Sequence, residues 1–184
     1  VVVIEKIDRL SYKRFADLKD FLIRETGIYY RNYLRTVNVK IDGALVEPID
    51  PLFTTEGYRY YDEDDDRAIA LPPLSIPFKD LGHIKARFSY MPPSFLRKPD
   101  AKHKTAAGSK KDMNARFYIR KENKGIIISR AGRQIDVVTK NPWTVFINND
   151  NYIAIELDFP PTMDEFFSIT TSKQQIGIHE SLWD

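Results

Sequence analysis

The chain has 184 residues, which is enough to bury a sizeable core and allows one domain or two small ones. Hydrophobic residues at 42%, charged residues at 29% and a net charge of +2 are ordinary values for a globular protein, so no global field attracts the chain to nucleic acid or membrane. The absence of cysteine excludes disulfides and thiolate metal sites, and the lack of a long apolar run or a signal peptide predicts a cytoplasmic protein.

The first 55 residues predict a strand, two helices and a hairpin. The apolar run at residues 1–5 is typical of a buried strand, and it lacks an initiator methionine, as if it had been cut from a longer protein. Ser11 is a candidate N-cap for an amphipathic helix that Gly27 would end. Asp42 and Gly43 separate two alternating segments, and this dipeptide favours the positive φ angles of a tight hairpin turn.

Residues 56–76 differ from their surroundings in composition. Residues 62–66 are all acidic, and Pro72, Pro73 and Pro77 follow them. Because like charges repel one another and proline lacks the N–H that a sheet requires, the segment is predicted to be a linker. The alternating ligand spacing of a calcium loop is absent, so no metal is predicted here.

The second half of the chain predicts a mixed α/β arrangement. Residues 84–90 alternate between apolar and polar side chains, as expected for a strand with one buried face. Ala131–Gly132 is placed to form the turn of a hairpin, and residues 152–159 predict a further strand. Thr162 and Glu165 have the spacing of a capping box, which predicts a helical turn after that strand.

A basic segment interrupts this half of the chain. Five lysines or arginines and a single acid fall within residues 97–110. Such a loop could lie on DNA phosphates, or it could be a flexible, solvated insertion that contacts nothing. It lacks interleaved aromatic residues that would stack on bases, which favours the solvated insertion.

The usual catalytic motifs are missing from the sequence. There is no cysteine nucleophile, no nucleophile elbow, no P-loop, no dinucleotide fingerprint and no zinc-protease motif. His83, His103 and His179 lie far apart in sequence and lack the spacing of metal ligands. No metal site is therefore predicted in this chain.

The segment YIAIELDFPPTMDEFFSITTSKQQ, residues 152–175, combines a strand, an acidic-proline stretch and a polar loop with one lysine. This pattern resembles the end of the transducer domain of GHKL ATPases, the superfamily of DNA gyrase B, MutL, MORC proteins and the heat-shock chaperone ATPases. The gyrase-type loop reads Gln-Thr-Lys, whereas this chain has Thr171, Ser172 and Lys173, so the lysine matches and the glutamine does not. Residues 1–53 are similar to the last strand, helix and hairpin of the ATP-binding domain, and the closest resemblance is to bacterial MORC-like or chaperone-like members.

The resemblance implies an α+β fold and a division of the chain. Residues 1–55 would be the C-terminal edge of the GHKL ATP-binding domain, residues 56–76 an acidic, proline-rich linker, and residues 77–184 the transducer domain, with a flexible basic loop at 97–115. The implied transducer is ribosomal-protein-like, with a mixed sheet of about four strands, helices on one face and a left-handed βαβ crossover.

The same resemblance implies a part in ATP hydrolysis. Lys173 would be the catalytic residue at the γ-phosphate, and Thr171, Ser172 and Gln174 would add contacts to the nucleotide. ATP and Mg²⁺ would bind mainly to an ATP-binding domain that precedes Val1, so this chain alone is expected to be inactive. The expected partners are that upstream domain, a second copy in a homodimer and DNA, with no membrane.

Two alternatives to this function remain open on the sequence alone. One is a nucleic-acid-binding module that uses the basic loop at residues 97–111. The other is a passive protein-interaction domain in which Lys173 is a solvated surface charge. A lysine is a compact cation with three donors, which suits it to reach a phosphate from a loop, but the same chemistry suits it to an exposed surface.

Overall fold

The structure, a computed structural model, describes residues 10–61, 67–92, 115–142, 144–147, 150, 152–167 and 178. Within these residues the helices are α1 (Phe15–Tyr29) and α2 (Ala115–Glu122), with short 3₁₀ helices at Lys79–Leu81 and Pro161–Met163. The strands are β1 (Lys40–Ile41), β2 (Ala44–Leu45), β3 (Ile69–Pro77), β4 (His83–Tyr90), β5 (Ile126–Arg130), β6 (Arg133–Val138) and β7 (Ile153–Phe159). The strand predicted at residues 1–5 lies outside the described residues.

One mixed sheet of five strands organises the fold, in the order β3-β4-β7-β5-β6. Strands β5 and β7 run parallel, and the other neighbouring pairs are antiparallel. The predicted α+β class and mixed sheet are confirmed. The sheet has five strands rather than about four, because β3 pairs with β4 along its length.

Strand β3 corrects the prediction that residues 56–76 form a linker throughout. Its register with β4 shifts between Leu71 and Leu74, which places Pro72 and Pro73 at a bulge. The missing N–H groups of these prolines are tolerated because β3 is the edge strand of the described sheet, where β4 is its one pairing partner. The acidic residues 62–66 lie outside the described residues.

The two faces of the sheet bury separate hydrophobic clusters. Both helices pack on the first face, where Ile28 of α1 and Ile119 of α2 join Ile127 and Ala154 of the sheet. The second face is covered by the chain that follows β7. The members of this second cluster are Ile84, Ile126, Ile128, Phe159, Met163 and Phe167. Alternation along β5 explains the division, since Ile127 points to one face and its two neighbours to the other.

The first helix ends later than its sequence predicts. Helix α1 begins at Phe15 rather than just after Ser11, and it continues through Gly27 to Tyr29. Gly27 does not end the helix; its missing side chain lets the backbone of Glu47 approach the helix closely. A β-carbon at this position would lie 2.7 Å from the carbonyl oxygen of Glu47, so only glycine leaves room for the chain that crosses it.

Both hairpin turns predicted from dipeptides are confirmed. Asp42 and Gly43 join β1 to β2 with φ angles of 49° and 76°. Ala131 and Gly132 join β5 to β6 with φ angles of 50° and 81°. These positive values match the turn type that fits the twist of paired strands.

The predicted domain division and left-handed crossover stay predictions. The parallel strands β5 and β7 are connected through β6, and the described part of residues 139–152 contains no α-helix. Helix α2 instead lies between β4 and β5, which run in opposite directions. Ile49, Leu52 and Phe53, from the predicted edge of the ATP-binding domain, share the first cluster with Ile127 and Ala154 of the sheet.

Candidate functional site

The predicted nucleotide-binding residues, Thr171, Ser172, Lys173 and Gln174, lie outside the described residues. The structure does describe the chain that leads to them. Strand β7 ends at Phe159, and residues 160–167 then turn back over the second face of the sheet. The last of these, Phe167, is 1% exposed, and its ring stacks on that of Phe159 with centroids 3.6 Å apart. The Ser/Thr-rich segment that contains Lys173 therefore follows directly after a residue that is buried in the core.

Polar contacts fix this return segment to the sheet. The hydroxyl of Thr162 donates to the carbonyl of Leu81 at 2.6 Å. Thr162 lies inside the 3₁₀ helix Pro161–Met163 rather than at its N-cap, so the capping box predicted with Glu165 is not formed. Arg130 donates two hydrogen bonds to the carboxylate of Asp164, at 2.6 and 2.7 Å. Because a bidentate pair defines both distance and orientation, it holds the segment in register with the end of β5.

The β5–β6 turn is attached to the end of the central strand. The backbone N–H of Ala131 donates to the carbonyl of Phe159 at 2.9 Å, and that of Gly132 donates to Asp158 at 2.8 Å. Burial raises the pKa of the Asp158 carboxyl above its ordinary value, and the Gly132 bond opposes this rise. The end of β7, which leads to the predicted lysine loop, is thus hydrogen-bonded directly to the β5–β6 turn.

A buried charge cluster lies on the first face of the sheet. It consists of Arg31, Asp50, Arg87 and Glu156. Three of its side chains are 0–3% exposed, and that of Arg87 is 33% exposed. Two guanidinium groups face two carboxylates, so the formal charges cancel within the cluster.

Glu156 is the member that belongs to the central strand β7. Its carboxylate accepts hydrogen bonds from Arg31, from Arg87 at 2.9 Å and from the hydroxyl of Ser129 at 2.7 Å. Arg31 follows α1, whereas Arg87 and Ser129 belong to β4 and β5. One carboxylate thus connects the N-terminal part of the chain to three neighbouring strands.

Asp50 is held by its own loop as well as by arginine. It accepts from Arg87 at 2.7 Å, from the hydroxyl of Thr55 at 2.6 Å and from the backbone N–H of Leu52 at 3.1 Å. Burial acts to raise the pKa of Asp50, but Arg87, Arg31 and the Thr55 hydroxyl outweigh burial and hold the pKa below its ordinary value. The loop at residues 50–55 is therefore closed around an ionised carboxylate.

Arg31 extends the cluster toward α2. It donates to the carbonyl of Ile28 at 2.8 Å and to the side-chain oxygen of Gln134 at 3.0 Å. Gln134 in turn donates to Asn123 at 2.6 Å, and Asn123 donates to the carbonyl of Ile119 at 2.8 Å. The chain of bonds runs from the end of α1 through β6 to the end of α2.

The arrangement of the cluster suits a structural connection rather than acid–base catalysis. Each carboxylate accepts several hydrogen bonds and faces a permanent cation, so neither is a free base. Ion pairs buried in this way fix the relative positions of the elements that carry them. The cluster connects Arg31 and Asp50, from the predicted edge of the ATP-binding domain, to Arg87 and Glu156 of the predicted transducer.

The cluster was not predicted from the sequence, although two signals pointed to it. Arg87 occupies the polar position of an alternating strand, where an exposed side chain would be the ordinary interpretation. Glu156 interrupts the apolar run of the last strand, at a position that points to the first face beside Ala154. A charged residue in a strand with two buried faces requires a partner, and this requirement was the available signal.

Other candidate sites offer less. A cleft of about 770 Å³ beside α1 is lined by Tyr12, Phe21 and Tyr60 together with arginines and aspartates. Each of its three arginines already has an acidic partner: Arg14 pairs with Asp17 at 2.6 Å, Arg24 with Glu25 at 3.0 Å and Arg59 with Glu47 at 3.8 Å. The cleft therefore does not present an arginine that is free to bind an anion.

The described residues contain no group of three histidine, aspartate or glutamate side chains that could hold a metal. The ring of His83 and the hydroxyl of Ser75 share a hydrogen bond of 3.1 Å. His103 and His179 lie outside the described residues. The basic loop at residues 97–111 also lies outside them, so its predicted contact with DNA stays a prediction.

Neither described helix is long and apolar enough to cross a membrane. Comparison of the chain with protein-family models, with curated proteins and with solved structures finds no match, so the interpretation of the site depends on its own residues.

Proposed function

We propose that this chain is the transducer part of an ATP-dependent GHKL ATPase and that it supplies Lys173 to the γ-phosphate of ATP. Thr171, Ser172 and Gln174 add contacts to the nucleotide in this proposal. One observation carries it. Strand β7 holds Glu156 of the buried charge cluster and continues, through the buried Phe167, into the segment that contains Lys173.

The geometry supports a mechanical role for this connection. Phe167 is six positions before Lys173 in the sequence, so the lysine can lie no farther than roughly 20 Å from a fixed point in the core. A lysine that binds a phosphate would therefore exert a force on Phe167 through the intervening chain. Since β7 is bonded to β4 and β5 on either side and to Arg31 through Glu156, the pull is distributed to the whole sheet and to the end of α1.

ATP binding and catalysis both require groups that this proposal places upstream of Val1. The described residues contain no carboxylate cluster for Mg²⁺, so the metal would be held by the ATP-binding domain of the same protein. In the bound state the magnesium supplies charge neutralisation at the phosphates, and Lys173 supplies a further cation from the other domain. The nucleotide then holds the two domains together and couples its own state to domain movement or dimerisation.

The decisive test is the steady-state ATPase activity of the full-length protein. Lys173→Ala is expected to lower kcat by roughly 10²-fold, the usual loss when a group that stabilises developing charge is removed, while nucleotide affinity changes only a few-fold. Lys173→Arg should restore part of the loss, because a planar guanidinium cannot occupy the same point as an ammonium. Lys121→Ala is the matched control, since Lys121 is an exposed lysine on α2. Equal turnover of Lys173→Ala and wild type would reject the proposal.

A second measurement uses the 184-residue chain alone. The proposal places the magnesium and adenine contacts outside this chain, so calorimetry should detect no tight binding of ATP. Binding in the low micromolar range by the isolated chain would contradict the assignment.

A further inference from the structure

The outer part of the second sheet face exposes a cluster of large apolar side chains. We call this surface the β3 patch. Its six residues are Ile69, Leu71, Leu74, Ile76, Tyr90 and Ile153, and each of them is 43–59% exposed. Half-exposed residues of this size are ordinary when scattered singly, but a contiguous group of them marks an interaction surface.

Strand register places all six on one side of the sheet. In β3, Ile69 lies opposite Tyr90, and Ile76 lies opposite Ile84, which is buried in the second cluster. Residues that face each other across a ladder share a side, so the whole β3 set lies on the second face. The bulge is what keeps Leu71 and Leu74 on the same side, although three positions separate them in the sequence.

The chemistry of the patch restricts what could cover it. Residues 68–78 contain no charged side chain, so a charged partner would find nothing to pair with. Pro72, Pro73 and Pro77 lack the N–H groups that a further strand would need, which opposes edge-to-edge extension of the sheet. A partner must therefore pack against the face with an uncharged apolar surface of its own.

We propose that the β3 patch is a contact surface between two copies of this chain. A two-fold axis brings a surface against itself, which requires that no like charges meet, and this surface carries none. The sheets would stack face to face, with their inner side chains interdigitating about 10 Å apart. The resemblance also implies a homodimer, but the surface proposed here rests on the exposed side chains alone and does not depend on Lys173 or on an upstream domain.

The size of the patch indicates a weak, reversible dimer rather than a permanent one. Six large side chains, each about half exposed, offer several hundred Å² of apolar surface, near the upper end of the roughly 300–600 Å² typical of the largest patch on a monomer. A standard interface buries about 800 Å² on each partner, so a smaller contact is expected to give a dimer with a dissociation constant in the micromolar range.

Sedimentation equilibrium of the 184-residue chain tests the proposal. Over roughly 1–200 μM, a range that brackets a micromolar dissociation constant, the mean mass should rise from one chain toward two and no further. Leu74→Asp and Ile69→Asp should each weaken association at least about 10-fold, because each buries a charge against an apolar surface. Leu45→Asp is the matched control, since Leu45 is 53% exposed but lies in the separate β1–β2 hairpin.

Each result of this experiment decides for or against the patch. A wild-type chain that remains monomeric over the whole range overturns the proposal without any variant. Association that continues beyond two chains, or that both aspartate variants in the patch retain unchanged, also overturns it. Circular dichroism melting of the variants shows whether they are folded. If one of them is not, the other variant and the wild-type series still decide the question.

Discussion

Removal of Arg31 provides the most direct test of the buried charge cluster. The Arg31→Ala change deletes a side chain that is 0% exposed and that donates to Ile28, Gln134 and Glu156. Glu156, itself 3% exposed, would keep Arg87 and Ser129 as donors but lose its fully buried cation. The carboxylate would then be buried with less compensation than it has in the wild-type protein.

The expected magnitude is large relative to the stability of a domain. Breaking a buried ion pair by removing one partner costs about 3–5 kcal/mol. A folded domain is stable by about 5–15 kcal/mol in total, so the change should consume a substantial part of it. With about 2–4 °C of melting temperature per kcal/mol for a chain of this size, the melting temperature should fall by about 10 °C.

Urea unfolding, followed by circular dichroism, measures this effect. Arg14→Ala is the control, because Arg14 also pairs with a carboxylate, that of Asp17, but its side chain is 78% exposed, so the urea midpoint of this variant should stay close to that of the wild type. The double change Arg31→Met with Glu156→Leu should recover much of the loss, since it replaces the buried pair by apolar groups. An Arg31→Ala cost below about 1 kcal/mol would refute the reasoning, because it would mean that the cluster is solvated.

Three further predictions concern single positions. Because the pKa of Asp50 is lower in the folded protein, the unfolded state binds the proton more tightly. The ionised carboxylate therefore contributes to the free energy of unfolding in full above the ordinary pKa of 3.8, and this contribution is lost as the pH falls through the lower pKa of the folded state. The difference in unfolding free energy between wild type and Asp50→Asn should therefore shrink below that pH, and a constant difference would contradict it. Gly27→Ala should destabilise by about 1–3 kcal/mol through overpacking, although alanine is the better helix former; an unchanged or higher melting temperature would remove the steric explanation. Arg130→Ala should cost less than about 1 kcal/mol, because Arg130 and Asp164 are 34% and 38% exposed, and a larger loss in urea would show a role beyond the ion pair.

The sequence was most informative where structure is local. The turns at Asp42–Gly43 and Ala131–Gly132 were predicted because two adjacent residues decide the backbone angles. Strand β3 was not predicted, since a proline-rich segment is compatible with a sheet only at an edge, and position in a sheet is not a local property. The segment with Thr171, Ser172 and Lys173 was identified as a candidate nucleotide-binding site from its sequence pattern alone.

The charge cluster shows why the remainder of the site could not be predicted. Arg31 and Glu156 are 125 positions apart in the sequence, and Arg87 and Asp50 are 37 apart. Taken alone, each of these residues would be predicted to lie at the surface, because arginine, aspartate and glutamate are mostly exposed in folded proteins. Only the fold, which places β7 between β4 and β5, brings the four side chains together.

The position of β7 also determines the order in which the protein can assemble. Strands β3 and β4 can pair as soon as both exist, and so can β5 and β6, because short turns connect them. These two hairpins share no hydrogen bonds with each other in the sheet, and β7, the last described strand in the sequence, joins them. A growing chain that has not reached residue 153 therefore holds two hairpins with open edges, and unpaired edges of this kind recruit other chains. The search for the central position involves long-range contacts, so insertion of β7 is expected to limit the rate of folding.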